Sequence, residues 1–208
     1  MNYIALDVET TGFSPDSCEL LEIGAWKVEN GVTVSAFKEL IKPTGYIPTH
    51  ITAINGITNE MVRNADSLDT VLTEFYDFCE DYPLLAHNLP FDWGFIHTKG
   101  KNLGLDFSKN CTRLGIDTLD MSRKYVGSKV SSHKLGKMAE YYGIKVDVKN
   151  SRGFHSADYD AYVCHLLYQA IVKEYKLDEK KIAQLIIAPT GADTQYGEVK
   201  NNETLSLT

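Results

Sequence analysis

Residues 3–9, Tyr-Ile-Ala-Leu-Asp-Val-Glu, alternate with a period of two. In a strand, Ile4, Leu6 and Val8 fall on one face, while Asp7 and Glu9 project side by side from the other. The apolar face predicts a central, buried strand. Two like charges on such a strand repel each other and lose hydration. A divalent cation resolves both problems, and hard oxygen donors without thiolates favour Mg²⁺ or Mn²⁺ over zinc. The pair reads equally well as two solvated acids on an edge strand. Thr10-Thr11-Gly12 follows directly, a tight exit whose backbone N–H groups suit an anion.

Downstream patterning predicts alternating strands and helices. Residues 20–28 and 33–41 read as strands joined by Asn30-Gly31, a type I′ turn signal, so they predict a hairpin. Leu68, Val71, Leu72, Phe75, Phe78, Cys79 and Tyr82 recur at helical spacing until Pro83 stops the run. Residues 84–87 predict a short buried strand, and a helix starts near Pro90. Residues 112–117 predict another strand followed by a helix. Leu135, Met138, Ala139 and Tyr142 mark a helix closed by Gly143. A long helix covers about 156–175, and one extra helix covers 178–188. From Thr190 onward the polar composition predicts a mobile tail. An antiparallel hairpin beside strands that alternate with helices implies an α/β fold, a mixed sheet with helices on its faces.

Two more candidate sites stand out. Asp92, in His87-Asn88-Leu89-Pro90-Phe91-Asp92, opens the helix after the 84–87 strand; helix-dipole stabilisation alone would explain it. In His155-Ser156-Ala157-Asp158-Tyr159-Asp160, Asp160 sits at the margin of an apolar stripe and needs a partner. His155 is five residues earlier, roughly 140° around a helix. The two converge only if His155 lies in a loop before the helix, which Gly153 makes feasible. Asp158 and Tyr159 read as first-turn surface residues. Four carboxylates and one base suit two-metal phosphodiester hydrolysis.

With 43% hydrophobic and 24% charged residues, the composition excludes disordered and fibrous classes. No apolar run reaches the length of a membrane span, and the start of the chain does not read as a signal peptide. Four scattered cysteines without a CxxC pair imply reduced thiols and a cytoplasmic protein. The net charge of −7 disfavours a nucleic-acid ligand at first sight. Residues 99–152, however, hold 12 of the 21 Lys and Arg and only 5 of the 28 Asp and Glu. Such a segment attracts a phosphate backbone, or is simply an unevenly charged solvated surface.

These segments resemble the DEDDh exonucleases of the ribonuclease-H-like fold. They are most like the epsilon proofreading subunit of bacterial DNA polymerase III and the related PolC domain. The three motifs appear as Asp7-Val8-Glu9-Thr10-Thr11-Gly12, Ala86-His87-Asn88-Leu89-Pro90-Phe91-Asp92 and His155-Ser156-Ala157-Asp158-Tyr159-Asp160. Glu22-Ile23-Gly24-Ala25, Gly56-Ile57-Thr58 and Asp117-Thr118 support the match. The resemblance covers about residues 1–175. It implies an exonuclease domain over 1–177 with a C-terminal extension over 178–208, a short helix and then the tail. It further implies Asp7, Glu9, Asp92 and Asp160 as ligands of two Mg²⁺ or Mn²⁺ ions and His155 as general base. Thr10, Thr11 and Gly12 would hold the 3′-terminal nucleotide. The implied activity is 3′→5′ hydrolysis of a single strand to nucleoside 5′-monophosphates, DNA favoured over RNA, with a polymerase or replication partner in view. An exoribonuclease that trims RNA or degrades oligonucleotides is the alternative, and a non-catalytic nucleic-acid or polymerase-binding module is a further one. Asn55 departs from the histidine that many relatives carry before Gly-Ile-Thr. Gln184-Leu185-Ile186-Ile187 has a faint likeness to a sliding-clamp-binding peptide, without the terminal aromatic.

Overall fold

The computed structural model describes residues 1–110, 114–146 and 152–187. Tyr3–Thr10 forms β1, and Leu20–Glu29 (β2) and Val32–Leu40 (β3) form the expected hairpin. Asn30 and Gly31 both take positive φ at its tip, as a type I′ turn requires. The helices α1 (Thr49–Asn55) and α2 (Leu68–Cys79) lead to β4, Leu84–Ala86. Next come α3 (Leu89–Asn102), with Pro90 in its first turn, and the short α4 (Phe107–Asn110). Then follow β5 (Gly115–Asp117), α5 (Thr118–Tyr125), α6 (Leu135–Tyr142), the long α7 (Ala157–Glu174), α8 (Glu179–Ala183) and β6, Ile186–Ile187.

The sheet order is β3-β2-β1-β4-β5-β6. β1 pairs antiparallel with β2 and parallel with β4, and β4 runs parallel to β5. The strand that carries Asp7 and Glu9 is thus central. Ile4, Leu6 and Val8 pack with Val71, Leu72, Phe75, Phe95 and Ile96 on one side of the sheet. Tyr3 and Ala5 pack with Met121, Met138, Cys164, Leu167 and Ile171 on the other. Helices therefore cover both faces, as expected for a mixed sheet of this kind.

Three expectations need correction. The single helix predicted over 178–188 is instead α8 followed by β6, which pairs antiparallel with β5. Ile182, Leu185 and Ile186 pack onto the core, so the extension joins the domain at its sheet edge. This pairing also occupies the Ile186-Ile187 pair of the clamp-like peptide. The second correction is α1: its seven residues lack an apolar period, and it was not expected. Third, the strand predicted over 112–117 begins at Gly115, residues 111–113 lying outside the described residues. The tail expected from Thr190 also lies outside the described residues.

One glycine positions the site directly. A Cβ on Gly24 of β2 would lie 2.1 Å from the Asp158 nitrogen and 2.2 Å from the Ala157 carbonyl carbon. Only glycine lets the first turn of α7 sit on the sheet this closely.

Candidate active site

The candidate residues converge at the carboxyl end of β1. Asp7 and Glu9 reach the site from the strand itself. Asp92 comes from the first turn of α3, is 2% exposed, and accepts the Val8 N–H at 3.0 Å. Asn88 takes a left-handed φ of 81°, and its N–H donates to Asp117 Oδ1 at 2.9 Å. Asp117 also caps α5 through Leu119 N–H at 2.8 Å, so one carboxylate shapes the turn that delivers Asp92. His155 lies before α7 with φ of 64°, in the loop position that convergence demands. Its backbone N–H donates to Asp160 Oδ2 at 3.0 Å. Ligand atoms of Glu9, His155 and Asp160 all lie within 4.8 Å of one another.

The electrostatics are those of an acidic cluster with more carboxylates than Arg152 alone can balance. Burial pushes the Asp7 carboxyl well above its ordinary range, and Asp92, Asp160, Glu9 and Glu22 push it further. Burial, followed by Asp160 and Glu22, raises Glu9 to about 8 against the opposing pull of Arg152 and a hydrogen bond from Asn55. Asp92 is raised by burial and by Asp117 and Glu9, against its backbone hydrogen bonds. Asp160 rises to about 7, chiefly through burial. Asp160 Oδ1 is buried without a hydrogen-bond partner. An orphaned carboxylate oxygen among mutually repelling acids fits a divalent cation, and the donor set is oxygen with one imidazole.

Other details depart from expectation. Asp158 is not a surface residue: it is 2% exposed, pairs with Lys38 at 2.8 Å and accepts the Ser156 hydroxyl at 2.6 Å. Its carbonyl accepts Trp26 Nε1–H at 2.8 Å, so the first turn of α7 is fastened to β2 and β3. In the Thr10–Gly12 turn, the Thr11 N–H is already committed to the Glu19 carbonyl at 2.9 Å. Gly12 N–H makes only a 3.4 Å contact with Thr10 Oγ1, leaving it the donor best able to turn outward. His87 is held neutral by burial, its value pushed down to about 4. Its Nε2 faces the His133 carbonyl at 2.8 Å and its Nδ1 faces the Thr118 hydroxyl at 2.9 Å, a structural role.

Sequence reasoning missed several neighbours of the site. Phe13 is 90% exposed beside Phe91, their ring centroids 6.5 Å apart. Its place directly after the Thr10–Gly12 turn was the available signal. Glu22 and Asn55, noted in the sequence only for their bearing on the family match, stand with Arg152 around Glu9, and no local pattern links the three. A 460 Å³ notch lined by Arg123, Ser131, Ser132, His133 and Lys134 opens beside His87.

The RNase_T family model, described as an exonuclease, matches residues 4–168. The chain belongs to this exonuclease family. Among its relatives, the PolC-type DNA polymerase III of Caldanaerobacter subterraneus subsp. tengcongensis is 35% identical over 144 residues, 69% of this chain and 10% of the polymerase. The PolC-type enzyme of Streptococcus sanguinis is 34% identical over 172 residues, 83% of this chain and 11% of the polymerase. The exonuclease therefore spans about a tenth of the length of these relatives. Among solved structures, Exonuclease X in complex with 5′ overhanging duplex DNA superposes with a TM-score of 0.68 at 21% identity, covering 88% of this chain and 98% of that one. The nuclease domain of 3′hExo, a DEDDh family member, bound to rAMP, gives 0.68 at 18% identity, covering 83% and 92%. Both likenesses concern the fold. No helix among the described residues is long and apolar enough to cross a membrane.

Proposed function

We propose that this exonuclease shortens single-stranded DNA from the 3′ end, releasing nucleoside 5′-monophosphates, in the manner of a proofreading activity beside a polymerase. The observation that carries the reading is the meeting of Glu9, His155 and Asp160 beside Asp7 and Asp92 at the end of a central strand. The PolC-type relatives favour DNA and a replication partner.

Asp7, Glu9, Asp92 and Asp160 would hold two Mg²⁺ or Mn²⁺ ions. Bound there, the cations supply Lewis acidity and neutralise charge developing on the phosphate. His155, exposed at the mouth of the site, takes the proton of the attacking water at an imidazole nitrogen. Water attacks the terminal phosphorus, the bond from phosphorus to the penultimate 3′-oxygen breaks, and that oxygen takes a proton from solvent water as it leaves. The phosphate stays on the released nucleotide. Asp160 has a second task, fixing the His155 backbone through Oδ2. Gly12 N–H and the Thr10–Gly12 turn hold the terminal nucleotide, and Phe13 offers its open ring face to the terminal base.

A 5′-labelled DNA single strand is expected to shorten as a ladder with Mg²⁺ or Mn²⁺ and to stay intact in EDTA. A 3′-phosphate should slow the reaction. Fragments released from circular single-stranded DNA would rule out exonuclease polarity. An RNA strand degraded faster than DNA would replace the substrate assignment with the exoribonuclease alternative.

Part of the basic segment offers a surface for the strand. Lys137 pairs with Glu140 at 2.8 Å and Arg123 with Asp120 at 3.1 Å, both exposed pairs; of the segment's cations, Arg123 and Lys134 line the notch beside His87. Reversing both, Arg123→Glu with Lys134→Glu, should lower the slope of log affinity against log salt by roughly 1.4, two phosphate contacts at about 0.7 each. Filter binding of a single strand at several salt concentrations measures this, and an unchanged slope would place these residues on a solvated face.

A further inference from the structure

Glu22 is a further carboxylate beside the site, and one for which the proposed chemistry has no use. It is wholly buried on β2. Arg152 grips it with both ends of the guanidinium fork, Nη2 to Oε2 at 2.6 Å and Nη1 to Oε1 at 3.1 Å. The same Oε2 accepts the Ala157 N–H at 3.0 Å. One carboxylate thus ties down both ends of residues 152–157, the segment that carries His155. Within it, Gly153 and His155 both take left-handed φ, 85° and 64°. For histidine that conformation costs on the order of 1 kcal/mol and persists only where the surroundings enforce it.

Arg152 reaches further. Its Nε–H donates to the Asn55 carbonyl at 3.3 Å, at the end of α1. The Asn55 side chain is buried, accepts the Ile57 N–H at 3.0 Å and hydrogen-bonds the Glu9 carboxylate. The pair therefore joins β2, the α1 turn that touches Glu9, and the loop that holds His155. A buried ion pair adds little net stability over a well-packed apolar pair, so stability alone gives weak reason for this arrangement. The bidentate fork does give a direction, since planar guanidinium on carboxylate fixes both partners' orientation.

We propose that Glu22 and Arg152 are a positioning pair that holds the His155 loop and the Asn55 turn on the site, and so set the rate of the cut rather than the affinity for the strand. This rests on the exonuclease reading above. The test compares wild type with Glu22→Met/Arg152→Met, which removes both charges together and avoids stranding either one. Its melting temperature should stay within a few degrees of wild type. Its kcat on single-stranded DNA should fall about 100-fold, the cost of misplacing a catalytic group by about 1 Å, with KM changed by less than about threefold. In a His155→Ala background the same double change should cost about tenfold or less, because its larger part acts through the His155 loop and only the Asn55 turn remains to be displaced. Wild-type kcat in the folded double variant, or a loss that adds fully to that of His155→Ala, overturns the proposal. If the double variant does not fold, Arg152→Lys decides: it keeps the charge without the fork, and kcat should drop about tenfold at unchanged melting temperature and KM. Wild-type kcat in Arg152→Lys overturns the proposal. A wild-type protein that leaves 3′ ends intact would instead overturn the exonuclease reading itself.

Discussion

Replacing His155 by alanine is expected to lower turnover on single-stranded DNA by about two to four orders of magnitude near neutral pH, the usual share of general-base catalysis. The backbone at this position is left-handed, so alanine removes the base and also tests a strained conformation. His155→Asn separates the two effects, because asparagine tolerates that conformation but cannot accept the proton. Equal losses in both variants identify the imidazole as the cause. Mn²⁺ affinity, followed by calorimetry, should survive in both. The proximity of His155 to Glu9 and Asp160 makes this second measurement decisive: lost metal binding would make His155 a ligand, and near-normal turnover would remove it from the mechanism.

Asp7→Asn should cost more than about three orders of magnitude in turnover, since the several kcal/mol a metal ion contributes at about 1.4 kcal/mol per decade depend on its carboxylates. In metal-free buffer the same change should stabilise the fold. Asp7 and Asp92 are raised well above the carboxylate range, Asp160 to about 7 and Glu9 to about 8. In the unfolded chain these groups titrate near 4. The native state therefore binds more protons between about pH 4 and 8, and its stability falls as pH rises through that window. Metal-free wild type should melt at a higher temperature at pH 5.5 than at pH 8. Asp7→Asn should melt above wild type at pH 8, by roughly 2–4 °C for each kcal/mol of repulsion relieved, and the gap should close at pH 5.5. Added Mg²⁺ should reverse the order at pH 8. A mutant that melts far below wild type at pH 8 without metal would mean that Asp7 holds the strand together.

The parts of this fold legible in the sequence are those whose pattern is local. β1 declared its two faces by alternation, while its central place in the sheet came only from the pairing with β2 and β4. The β2–β3 hairpin declared itself through Asn30-Gly31, and α2 and α7 through long apolar stripes. The loop position of His155 followed from the helix angle between it and Asp160. What escaped was set by contacts across the chain or by elements too short to carry a period. Asp158 looked solvated because its partner, Lys38, is 120 residues away. Arg152 and Glu22 are separated by 130 residues. α1, α4 and β6 are seven, four and two residues long. Two residues have no readable alternation, and β6 exists because β5 offers it an open edge.

That edge separates the unit of homology from the unit of folding. The family match ends at residue 168, inside α7, six residues before that helix does. Ile171 and Leu177 lie beyond the match yet are buried in the core, and β6 shields the backbone of β5. A fragment cut at the family boundary would keep every acid of the site and lose the last turn and a half of its longest helix. It would also present a bare strand edge, an invitation to pair with a second molecule. A truncated form of this enzyme is better ended after Ile187 than where the kinship stops.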